Sequence, residues 1–311
     1  MLCLAAPVTT QPSERPAIYE MTHRQIAERL PAWHSAEARL PRRVVALARR
    51  NLGQPYELFL LGEAPFEQTD PQPVFCFEKG DCVVFVEHAL AMALSDDFST
   101  FLSMLQRIRY RDGVIGVLTR NHYTEADWNR NNRWLLTDIT DAVGGDAVVR
   151  WRQKVDRAKF FRDRYKLEAE LPVEVIDESF IPHEHVPQIA SRLREGDVVN
   201  FVSGRGGSYW VGHVGLVGRD ESGGVTLIHS AAPYAREEPI EAYIARATAN
   251  AEARQAEGKS TFAGFKFLRL TDDPWAELRR LDGASAPRVT VPSGSPVTWE
   301  AFVRKVVEAG N

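Results

Sequence analysis

From Cys82 to Leu94 the chain is apolar almost without interruption, Glu87 and His88 being the exceptions. Asp81 ahead of it is a good N-cap, and Gly80 allows a tight approach to the first turn. The segment therefore reads as a helix buried on nearly every face, and the rest of the chain must wrap around it. The helix opens on Cys82. A thiol in a first helical turn sees unpaired backbone N–H groups and the positive end of the helix dipole. Both favour the thiolate, the nucleophilic form. The β-branched pair Val83-Val84 argues for a strand, but the continuation through Leu94 outweighs it. Free cysteine is also a common core residue, so a catalytic reading needs a base.

A later hairpin supplies one. Val198–Val202 reads as a strand and Ser203–Ser208 as a flexible glycine-rich tip between strands rather than a phosphate cradle, which would precede a helix. Trp210–Val217 leads into the turn Arg219–Gly224, and Val225–His229 returns. If the turn centres on Glu221, His213 and His229 sit opposite each other on one face, with Cβ atoms about 5 Å apart. A slip of one residue would put them on opposite faces. In that geometry His213 can take the thiol proton while His229 fixes its tautomer and ring plane, the cysteine form of triad logic. Two histidines on one sheet face could also be a metal pair or satisfied core residues. A zinc site needs a third ligand, and no Cys-x-x-Cys or His-Glu-x-x-His spacing occurs. His183-Glu184-His185 lies in a proline-flanked loop and matches no helix-face template. No metal and no cofactor is expected.

With 311 residues, 44% of them hydrophobic and 26% charged, the chain has the balance of a soluble globular protein. A net charge of −4 supplies no field that would draw it to nucleic acid. The basic clusters Arg42–Arg50 and Arg152–Arg164 are interleaved with apolar residues at helical spacing, as on a solvated helix face. Cys3, Cys76 and Cys82 cannot form a disulfide framework, and Cys76 reads as a small apolar residue. No run reaches membrane-spanning length. Met1–Pro7 resembles the end of a secretory signal's apolar region without its basic start.

Three regions are expected: residues 1–20, disordered or a signal remnant; 21–272, one hydrolase domain; and 273–311, an extension with one short helix starting near Thr298. Within the domain, helices are predicted over Thr22–Leu30, Arg42–Asn51 and Phe98–Ile108, and another over Trp151–Tyr165. Pro55–Pro73 reads as a long loop and Phe262–Leu270 as a last strand. Arg120–Asn129, dense in polar and aromatic residues without apolar period, reads as the lining of a pocket for a polar ligand.

Gly53-Gln54-Pro55-Tyr56, Leu61-Gly62-Glu63, Asp81–Glu87, Arg109–Gly113, Arg120–Tyr123, Gly212–Gly215 and Ile228–Ala231 follow one another in this order. As a set they resemble the N-acetylmuramoyl-L-alanine amidase-like branch of the NlpC-type cell-wall cysteine hydrolases, across residues 43–270. The resemblance implies an α+β, papain-like fold with N-terminal helices, the cysteine helix among them, packed on an antiparallel sheet. It implies Cys82 as nucleophile, His213 as base and His229 as third member. Tyr56, Asp81, Arg120, Asn121 and His122 would border the substrate cleft. The planar fork of Arg120 suits either a substrate carboxylate or an ion pair with Asp127 or Glu125. The substrate would be bacterial peptidoglycan fragments, cut between the lactyl group of N-acetylmuramic acid and L-alanine by way of a thioester. Cleavage between D-glutamate and the diamino acid of the stem peptide, or binding without turnover, remain open alternatives. A periplasmic or exported location follows from that substrate.

Overall fold

The structure, a computed structural model, describes residues 16–283 and 286–309. Cys3 and the apolar start of the chain lie outside the described residues. Around the central helix gather three others: α1 (His23–Ala36), α2 (Leu40–Arg49) and α4 (Phe98–Arg109) pack against α3 (Cys82–Ala93). Every residue of α3 except Val83 is buried, as its near-continuous apolar run requires. Asp81 caps it, its Oδ1 accepting from Val83 N–H at 3.0 Å and Val84 N–H at 2.9 Å. Gly80 is needed for close approach: a Cβ there would stand 2.8 Å from Gln54 Oε1. Thr22 caps α1 through a reciprocal pair with Gln25, and the helix runs beyond its expected end, through Pro31 to Ala36.

The second layer is an eight-stranded sheet whose ladders are all antiparallel. Its strands are β1 (Leu136–Asp138), β2 (Val149–Val155), β3 (Glu174–Pro182), β4 (Val198–Arg205), β5 (Ser208–Arg219), β6 (Val225–Ala231), β7 (Tyr234–Pro239) and β8 (Thr261–Leu270). The order is β2-β3-β8-β4-β5-β6-β7, with β1 joined to β8. One face, through Val198, Val214, Leu216 and Ile228, packs on α1–α4. The other, through Phe201, Leu227 and Phe265, is covered by Ile240, Tyr243 and neighbours. Mixed helices on an antiparallel sheet are the class the sequence implied. No helix among the described residues is long and apolar enough to cross a membrane.

Three expectations need correction. Trp151–Tyr165 is not one helix: β2 ends at Val155, and a helix over Arg157–Tyr165 starts after the cap Asp156. Trp151 and Val155 are buried on β2 while Arg152 is exposed, a strand alternation that the dense basic residues obscured. Disorder does not extend to residue 20, because Ile18 is fully buried in the main core. The glycine tip is shorter than expected. β4 pairs with β5 as far as Arg205↔Ser208, which leaves Gly206 and Gly207, both at positive φ, as the turn.

The C-terminal extension lies against the domain. Ile115 N–H donates to Thr290 O at 2.8 Å and Thr290 N–H to Gly113 O at 2.9 Å. Trp299 and Phe302, on the last helix (Trp299–Ala309), pack against Phe66, tilted and edge-on, with ring centroids 5.7 and 5.1 Å away. Trp299→Ala is expected to lower unfolding stability in urea by about 3 kcal/mol, the usual cost of deleting a large core aromatic. An appendage independent of the core would leave the urea midpoint unchanged.

Candidate active site

The site forms where β5 and β6 part. Their ladder runs from Arg219↔Val225 to Leu216↔Ile228 and stops there. This register is displaced by two residues from the one predicted about Glu221, so His213 and His229 are diagonal rather than opposite. A two-residue displacement preserves the face, and both rings point to the same side. Gly215 stands beside His229 instead. A Cβ at Gly215 would lie 3.0 Å from both His229 Cβ and Ile228 O. That vacant space lets the imidazoles meet, His213 Nε2 being 2.7 Å from His229 Nδ1. Phe201 supports both rings, at 4.7 and 5.7 Å, and Tyr243 lies 5.7 Å from His229.

Cys82 approaches the same strand from the helical side. The backbone N–H groups of Val214, next in sequence to His213, of Val83 and of Cys82 itself lie near enough to the sulfur to favour its ionised form. Cys82 is buried, at 9% exposure, while His213 is half-buried, so solvent reaches the histidine more readily than the thiol. Tyr56 closes one side, anchored by its N–H to Pro233 O at 3.0 Å and close to Cys82 and Asp81. Behind His229 stands Glu238, Oε1 2.9 Å from His229 Nε2.

Alongside the first turn of α3 opens a cavity of ≈ 330 Å³, bordered by Phe59, Asp81, Glu87, Arg120 and Arg164 among others. Of the predicted cleft residues, Asp81, Arg120, Asn121 and His122 line it and Tyr56 does not, and the hydrogen bonds of those four face inwards. Arg120 donates to Leu61 O (2.8 Å), Asp70 Oδ2 (2.8 Å) and Tyr165 OH (2.6 Å). Its fork is occupied by the protein, and Asp127 and Glu125 are bound elsewhere, to Arg157 and to Val211 N–H. Asn121 joins Ile108 O and Asn131, and His122 Nε2 lies 2.7 Å from Val117 O. Arg164 is different. Its guanidinium covers the Phe59 ring at 4.3 Å, and among the described residues no ion pair holds it.

The AmiA-like family, described as N-acetylmuramoyl-L-alanine amidase-like, matches residues 46–248. The chain belongs to this family. Among curated proteins none matches it. A solved structure from Legionella pneumophila superposes with a TM-score of 0.65 at 17% identity, covering 79% of this chain and 94% of that one. An N-acetylmuramoyl-L-alanine amidase from Bacteroides uniformis superposes at 0.58 with 21% identity, covering 75% of this chain and 99% of its own. At these identities the likeness is one of fold. Family membership makes this chain a peptidoglycan amidase-like hydrolase.

Electrostatics correct one expectation about the amidase-like site. The helix start does not leave Cys82 as a resting thiolate. Burial, then the Asp81 carboxylate, push the thiol up to about 12, and the backbone donors only soften this. Burial, then His229 and Arg236, lower His213 to about 3. The resting pair is thus neutral thiol and neutral imidazole. Residues that the sequence did not single out are Glu238, Arg236 and Arg246, and Arg164 with Phe59. The only advance signal is an Arg-Glu-Glu run three residues past Pro233, which resembles a charged loop.

His88, fully buried, and His122, half-buried like His213, are also neutral imidazoles, lowered chiefly by desolvation to about 4 and about 3. Each takes up its proton more readily when unfolded. Its contribution to stability is complete above the ordinary value near 6.5 and is lost as pH falls from there towards 3–4, by about 1.4 kcal/mol per pH unit. NMR titration should find all three rings neutral through pH 6 and charging only below pH 5. A midpoint near 6.5 for His213 would refute its burial.

Proposed function

We propose that the chain is a papain-like cysteine amidase of the NlpC type that hydrolyses the amide between the lactyl group of N-acetylmuramic acid and L-alanine. The observation that carries this reading is the pairing of His213 with His229 at 2.7 Å, with Val214, the next residue after His213, near enough to favour ionisation of the Cys82 thiol. Because thiol and imidazole are both neutral at rest, proton transfer accompanies attack. The thiol proton passes to His213 as the sulfur pair bonds the carbonyl carbon and the carbonyl π pair moves to oxygen. The Cys82 backbone N–H, at the start of the helix, is the available oxyanion donor, and one such donor is typically worth about 10²–10³ in rate. Collapse breaks the C–N bond, the proton on His213 goes to the departing amine, and water resolves the thioester.

Tyr56 and Asp81 border the cleft beside the sulfur. Gripping a substrate carboxylate passes from Arg120, whose donors are spent, to Arg164 at the cavity rim. Peptidoglycan fragments are the partner implied by the family, and we place the reaction on cell-wall material outside the cytoplasm.

Purified muropeptides incubated with the enzyme should yield free stem peptide and intact sugar by mass spectrometry, and Cys82→Ala should yield neither. A sugar bearing a dipeptide would instead establish the endopeptidase, and retention without cleavage a binding module. Arg164→Ala should raise KM about tenfold with kcat little changed, the value of one charge-assisted contact. An unchanged KM would remove Arg164 from substrate recognition.

A further inference from the structure

The chain of imidazoles does not end at His229. In the β6–β7 ladder Arg236 is the partner of His229, and Glu238, two residues on, shares its face. Glu238 Oε1 accepts from Arg236 Nε at 3.2 Å and Arg246 Nη2 at 2.7 Å, in addition to facing His229 Nε2. Arg246 Nη1 holds the second carboxylate oxygen. Both oxygens are thus engaged by guanidinium groups from two different elements, β7 and the helix Ile240–Thr248.

We propose that Glu238 is a positioning residue that sets the tautomers of both histidines and so leaves Nδ1 of His213 unprotonated. The proposal rests on the reading of His213 as the base. An ionised carboxylate can only accept, so His229 must carry its proton on Nε2. Neutral His229 then has a bare Nδ1, which can only accept from His213. His213 must therefore carry its proton on Nε2, and its other nitrogen keeps a lone pair. A single fixed negative charge thereby dictates proton positions two rings away, as second-shell carboxylates do for metal-bound histidines.

The arginines decide whether that charge is permanent. Burial favours the protonated carboxyl, but hydrogen bonds from Arg246, His229 and Arg236 overcome it and hold Glu238 down to about 2. It does not compete for the proton that His213 receives, which stays on Nδ1 until the departing amine takes it. The remaining groups facing this chain are the Tyr243 phenol from the covering helix, and Cys82 and Asp81 at the start of α3. Burial pushes Tyr243 up to about 12 and Cys82 likewise, so neither titrates in the working range.

Glu238→Gln tests this. The substituted amide can donate to His229 Nε2, which would reverse both tautomers and put the proton of His213 on Nδ1. Nitrogen-15 NMR of histidine-labelled protein should show His213 protonated on Nε2 in the wild type and on Nδ1 in the variant. We expect kcat to fall about 10²-fold or more with KM within about threefold, since a neutralised carboxylate behind a histidine base costs about 10⁴-fold in the Ser-His-Asp case. Arg246→Gln, which keeps the carboxylate but loosens its clamp, should retain the wild-type tautomers and move the acid limb of kcat upwards. Wild-type tautomers in Glu238→Gln, or a kcat within about threefold of wild type, would overturn the proposal. The NMR result does not depend on turnover, so activity surviving in Cys82→Ala would sink the amidase reading alone.

Discussion

The N-terminal turn of α3 is buried, and the site follows from that constraint. Asp81 is the group that permits it, giving two of the orphan N–H groups of the helix an acceptor within the protein. Once that turn is out of water, Cys82 is too, and its proton becomes hard to lose. The dipole argument from sequence had the right donors and the wrong winner, because desolvation of a thiolate outweighs a few N–H groups at this depth. Under the proposed mechanism a sulfur so placed gains reactivity only from a neutral acceptor nearby, and β5 carries an imidazole one residue before Val214.

Much of this was legible in the residues. The uninterrupted apolar run announced α3, and the alternation around Trp210–Val217 announced β5. The histidine face survived an error in register because the error was even-numbered; Gly215, an unremarkable residue in the sequence, is what makes the diagonal approach work. Other parts left no trace. β7 reads Tyr-Ala-Arg-Glu-Glu-Pro, with too much charge and a terminal proline for a strand, and it forms because β6 offers it a ladder. Arg120 was misread for a related cause. Its partners, Leu61, Glu63 and Asp70, come from a loop with no periodicity to locate it.

The walls of the cavity are ionic and largely shut off from water. Arg109 meets Glu87 at 3.2 Å, Trp128 Nε1 donates to the same carboxylate at 3.0 Å, and Arg120 meets Asp70 and Glu63. Buried pairs of this kind add little net stability, since desolvation consumes most of the attraction. Their effect is geometric: breaking any member strands a charge, so the loop 61–70, α3 and α4 keep one arrangement beside the sulfur. Burial is strong enough there to raise Glu63 to about 7 despite the neighbouring arginines. Arg164 belongs to another category, a cation resting on an aromatic ring and available to something outside the protein.

β7 closes the sheet at one end, and an outermost strand is where foreign chains can add themselves and seed aggregates. The segment before Tyr56 shields only its beginning, through Ala235 N–H to Gln54 O at 2.9 Å. Beyond that, the strand carries Arg236, Glu237 and Glu238, the glutamates tied to Arg49 and to His229 and Arg246. Under the role proposed for Glu238, one residue would order protons inside the molecule and add charge to its border, so a substitution there would be read in solubility as well as in turnover.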